Sequence, residues 1–62
     1  MEKQYFKALE GWENEVHLWL EQDSSIMVKA VSEFGDPVEF TSKDARNLAN
    51  LLIEAADKLD QL

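Results

Sequence analysis

The chain has no cysteine and a single histidine among its 62 residues. Disulfides and thiolate metal sites are excluded, and one histidine cannot by itself build a zinc site. With two glycines, no glycine-rich phosphate loop is possible, because such a loop needs several glycines close together. No apolar run approaches the ~20 residues of a membrane-spanning helix. The N-terminus lacks a basic patch followed by an apolar stretch, so no secretory leader is expected and a cytoplasmic location is. Cations are scarce as well. Six Lys and Arg stand against 13 Asp and Glu, for a net charge of −7. That sign argues against direct binding to nucleic acid or anionic lipid, which needs a basic surplus.

The remaining composition is that of a globular protein, 45% hydrophobic and 31% charged. Its length allows one domain. A chain this short buries only ~60% of its unfolded surface. It therefore depends on good packing or on self-association. The acid excess is uneven. Residues 43–62 hold three cations against four carboxylates, a net of −1; residues 1–42 hold three against nine, a net of −6.

The last third organises the rest. Apolar residues at Ala45, Leu48, Ala49, Leu52, Ala56 and Leu59 follow the three-and-four spacing of a helix face. Thr41 is a good N-cap and Asp44, three residues on, completes a short-armed capping box. The spacing predicts a helix over about 42–61. The small residues Ala45, Ala49 and Ala56 would form the centre of its buried face. Leu51, Ala55 and Leu62 would form one shoulder, a possible interface with a second chain, and Ile53 the other.

Before the helix the pattern is alternating. Val16, Leu18 and Leu20 alternate with His17, Trp19 and Glu21, which predicts a strand over 15–21. A turn at Asp23 and Ser24 leads to a second strand, 25–33. Gly35-Asp36-Pro37 marks another turn before a short strand, 37–40. Residues 4–9 fit either helix spacing or alternation. A strand is chosen, because a helix of about 20 residues spans roughly 30 Å and needs a broad sheet beneath it. The expected fold is α+β, an antiparallel β-meander of three or four strands with one C-terminal helix across one face. Phe6, Val16, Leu18, Leu20, Ile26, Val28, Ala30, Val38 and Phe40 would lie under the helix.

Alternation then turns His17, Trp19, Met27 and Val31 to the opposite face, with Tyr5 and Leu9 as further candidates. One helix cannot cover both faces. An exposed apolar patch of this kind marks a protein-interaction surface. The bland alternative is that Trp19 lies flat and shields its neighbours. The first functional expectation is a non-enzymatic protein-interaction module acting as a homodimer, with no cofactor.

A second expectation is an immunity-type inhibitor that imitates nucleic acid. It would present Glu10, Glu13, Glu15, Asp23, Asp36 and Glu39 to a basic protein. Their spacing matches no calcium-binding loop, and solubility alone accounts for many surface acids. A third is a minimal enzyme using His17, the only side chain here that normally titrates near neutrality. It ranks last, since no nucleophile motif accompanies it.

Overall fold

The computed structural model describes residues 5–22 and 24–61. Three strands, β1 (Phe6–Ala8), β2 (Val16–Glu21) and β3 (Ser25–Ala30), form one antiparallel sheet in the order β1-β2-β3. One helix, α1 (Ser42–Asp60), follows and covers one face. The expected α+β meander is the fold. Helix α1 begins as its sequence dictates. The Thr41 hydroxyl accepts from the Asp44 amide at 3.1 Å, and the Asp44 carboxylate accepts from the Thr41 amide at 3.2 Å. Such a cap is worth about 1 kcal/mol.

The strands stop where backbone donors find other partners. Residue Ser32 ends β3 by folding a turn around its own hydroxyl. That oxygen accepts from the amides of Phe34 at 3.2 Å and Asp36 at 2.9 Å. Gly35 sits in this turn at φ +83°, a region that a side chain would strain. Strand β3 therefore ends at Ala30 rather than at residue 33. The fourth strand expected over 37–40 is not formed; a single bridge joins Val31 to Pro37. Proline has no amide to extend the ladder. The chain leaves the sheet so that Phe40 can meet Trp12 edge-on, with ring centroids 5.2 Å apart. The expected strand start at Gln4, the turn residue Asp23 and the helix-shoulder residue Leu62 lie outside the described residues.

The core is short and dense in leucine. Leu9, Val16, Leu18, Leu20 and Ala55 are buried. Tyr5, Ile26, Leu48, Leu51, Leu52 and Leu59 pack around the cluster of Leu18, Leu20 and Ala55. Each fully buried aliphatic side chain contributes roughly 1.5–3 kcal/mol.

Two expectations about facing are corrected here. The first concerns β1. Its register pairs Phe6 with Trp19 and Ala8 with His17, so Phe6 lies on the face away from the helix and is 54% exposed. The inward residues are Tyr5 and Leu9. Residues 5–9 offer apolar side chains on both parities, so a one-residue choice flips the strand. Leu9 is buried and its amide bonds to the Val16 carbonyl at 3.0 Å, while Tyr5 reaches the helix.

The second concerns α1. Its buried line runs Leu48, Leu51, Leu52, Ala55 and Leu59, while Ala45 and Ala49 are exposed. The helix is turned toward the Leu51 side relative to the alanine-centred expectation. Burying four leucines removes far more apolar area from water than burying three alanines. Ala55, with no accessible surface, belongs to one buried cluster with Leu18 and Leu20 of the sheet. Ala55 is thus inside the domain and is not a surface for a second chain, and Leu51 packs on the core. The expected helix interface of Leu51, Ala55 and Leu62 is not a free surface at its first two positions.

Candidate functional site

The face of the sheet opposite α1 is built by register alone. Across the strands, Ala8 pairs with His17 and His17 with Lys29. Two residues along, Phe6 pairs with Trp19 and Trp19 with Met27. Two further along, Glu21 pairs with Ser25. The face is therefore three parallel rows that cross the strands. The middle row is apolar from edge to edge: Phe6, Trp19, Met27. One flanking row carries His17 and Lys29, the other Glu21. Successive rows are ~7 Å apart, two strand residues.

Phe6 and Met27 expose 54% and 40% of their surface, and Val31 beyond the end of β3 exposes 40%. The aromatic rings of this face lie near to parallel with one another. Phe6 stacks on Trp19 at 6.3 Å with 23° between planes, and meets His17 at 5.5 Å with 31°. Trp19 is held from below by its own strand, donating from Nε1 to Glu21 Oε1 at 3.0 Å. The His17 and Trp19 rings are half-buried, while Phe6 is exposed. Trp19 does shield part of the surface, yet the band around it remains open.

His17 has a structural bond of its own. Its Nε2 donates to the Glu13 carbonyl at 2.5 Å, since a carbonyl can only accept. This fixes the Nε2-protonated tautomer and ties β2 to the loop before it. The shallow depression of about 210 Å³ lies elsewhere, lined by Ala8, Leu9, Glu10, Asn47, Asn50 and Leu51. His17 does not line it.

The acidic residues gather at one end of the sheet, without forming one array. Glu10, Glu13 and Glu15 occupy the β1–β2 connection, and Asp36 and Glu39 the segment between β3 and α1. The Glu33 amide donates to Glu15 Oε2 at 3.1 Å and so joins the two loops. Glu13 Oε2 accepts from the Gly11 amide at 3.0 Å. The Gly11 bond, then the Glu13 backbone amide, hold the Glu13 carboxyl below its ordinary pKa. Asp23 lies outside the described residues. No group of three or more His, Cys, Asp or Glu among the described residues is arranged to hold a metal ion. No described helix is long and apolar enough to cross a membrane.

Tyr5 has a large shift. Its hydroxyl donates to Glu54 Oε1 at 2.6 Å. Burial, and then that bond and the negative charge of Glu54, push its pKa up to about 12. The pair ties β1 to α1 and stays protonated at neutral pH, so it acts as a clamp.

The chain matches no protein-family model, no curated protein and no solved structure. Its function is therefore argued from geometry. The face brings His17, Trp19 and Met27 together, with Val31 at its margin. The sequence pattern places Phe6 under the helix, whereas the register puts it on this face, where it completes the apolar band. The signal that could have found it is Leu9, a leucine two positions ahead of the turn at Gly11, which claims the inward parity for residues 5, 7 and 9.

Proposed function

We propose that the protein is a non-enzymatic interaction module that binds another protein through the outer face of its sheet. The observation that supports this most directly is the uncovered band of Phe6, Trp19 and Met27. Aromatic and methionine side chains on a flat, rigid platform are typical interface anchors. Two features support rigidity. Trp19 is fixed by Glu21 and His17 by the Glu13 carbonyl, so little side-chain freedom remains to be lost on docking. The partner is a protein, and a second copy of this chain is the case developed below.

A photo-reactive residue in place of Met27 tests the reading, with one in place of Ile53 on α1 as the control. Ile53 is 61% exposed, so it samples the opposite side of the molecule. Adducts from position 27 that are absent from position 53 and abolished by Trp19→Ser support the outer face. Equal labelling from both positions, or none from position 27, overturns it.

A second reading draws on the junction of Glu33 with Glu15. That bond brings two acidic loops to one end of the sheet, a surface suited to a basic groove that otherwise holds nucleic acid. Such a complex would compete with DNA and weaken as salt rises. A salt-insensitive complex counts against it.

A further inference from the structure

The three rows of the outer face make it self-complementary. We propose that the face pairs with a second copy of itself across a two-fold axis lying along the Phe6–Trp19–Met27 band. This rests on the reading of the face as a protein-binding surface and names its partner.

The geometry follows from the register. Rotation by half a turn about an axis along the middle row leaves that row facing itself, so Phe6, Trp19 and Met27 each meet their own counterpart. The same rotation exchanges the two flanking rows. The row of His17 and Lys29 then lies over the partner's Glu21. Directly opposite His17 stands the partner's Glu21. Lys29 is one strand over, ~4.8 Å to the side, within reach of a lysine chain. The symmetry makes the contact twice. An axis along the strands would instead place Lys29 near the partner's Lys29 row and Glu21 near the partner's Glu21 row. Charge selects the first arrangement, and closed two-fold pairing is the commonest form of self-assembly. The strands of the two sheets would run roughly aligned, as in sheet-on-sheet packing.

Charge also selects the face. The chain carries −7 in total, so most contacts between copies are repulsive. On this face Lys29 balances Glu21, with no other formal charge at pH 7 among the paired positions of the three rows. Glu15, one step beyond the His17 row on the same parity, accepts from the Glu33 amide, and the three rows themselves carry no excess charge to oppose a second copy. With strands ~4.8 Å apart and rows ~7 Å apart, the three-row patch is smaller than a standard interface, which places the dimer at the weak, concentration-dependent end.

Charge reversal reads the axis directly. Glu21→Lys, Lys29→Glu, their equimolar mixture and the double variant are compared with the unaltered chain by sedimentation equilibrium. Circular dichroism and tryptophan fluorescence check that each is folded. The unaltered chain should dimerise with rising concentration. Each single reversal should weaken self-association by about tenfold or more, as two attractive contacts become repulsive. The mixture and the double variant should recover it. Glu21→Lys separates this from bulk charge. It lowers the net charge from −7 to −5 by replacing −1 with +1, which would tighten association if only total repulsion mattered. Glu21→Gln keeps the acceptor for Trp19 and should weaken the dimer less than Glu21→Lys does. A mixture that fails to recover, or a Glu21→Lys chain that associates more tightly, overturns the proposed axis. An unaltered chain that stays monomeric at about 1 mM overturns self-pairing. The wider interaction reading would then stand or fall on the adducts from position 27, which would have to join it to a different protein.

Discussion

At the scale of single residues, polar side chains here tie segments together. His17 holds the loop before β2, Ser32 folds the turn after β3, and Tyr5 clamps β1 to α1. The last also has a strongly raised pKa. A phenol whose folded pKa lies above its ordinary value of 10.0 favours the neutral form in the fold. Its stabilising share is complete below about pH 10 and is lost as pH rises through about 12. The chain has one tyrosine, so phenolate absorbance near 295 nm reports it alone. The expected midpoint is about 12, and Glu54→Ala should bring it toward 10, leaving only the effect of burial. A midpoint unchanged by that substitution would show that Glu54 does not hold the hydroxyl.

At the scale of elements, the helix was legible and its rotation was not. The cap at Thr41, the three-and-four spacing and the absence of Gly or Pro after it specify α1 by local chemistry. Which arc is buried depends on the sheet it meets. Leu51 and Ala55 lie within the apolar arc on any helical wheel, yet so do Ala45 and Ala49. The choice is made by leucine area and by the burial of Ala55 against Leu18 and Leu20. A matched pair of substitutions reads it. Ala55→Leu should destabilise by about 1–3 kcal/mol through overpacking. Ala49→Leu should be within about 0.5 kcal/mol of neutral, as for other surface changes. Urea unfolding of both variants measures the difference, and equal losses would contradict the rotation.

Strand β1 shows the same division. Its existence rests on the breadth of sheet that a helix as long as α1 requires, while its parity needed tertiary partners. Phe6 and Leu9 are both large and apolar, and the place of Leu9 beside the turn at Gly11 is the one local hint of which faces inward. Pairing of Leu9 with Val16 and of Tyr5 with Glu54 settles it. Phe6 is thereby placed beside Trp19, which is why the most exposed member of the candidate surface was missed.

At the scale of the whole molecule, a large negative charge is wrapped around a very small core. Carboxylates crowd the loop end of the sheet, and like charges held at close range oppose folding. Added salt screens them, with a Debye length of about 10 Å at 0.1 M and about 3 Å at 1 M. The thermal midpoint should therefore rise from low to moderate salt, by a few degrees. The scan is run at micromolar concentration, where self-association contributes least. A midpoint that falls with salt would mean that attractive pairs outweigh the repulsion.

The sequence alone determined the α+β class, the order of elements, the capped helix, the inward residues of β2 and the sign of the charge. These are set by periodicity and by groups one to four positions apart, which any short stretch carries within itself. Tertiary structure decided the rotation of α1, the parity of β1, the end of the sheet at Ala30 and the three-row pattern of the outer face. Each of these depends on which residues, distant along the chain, come to lie side by side. The burial of one large apolar side chain in place of another decides that placement.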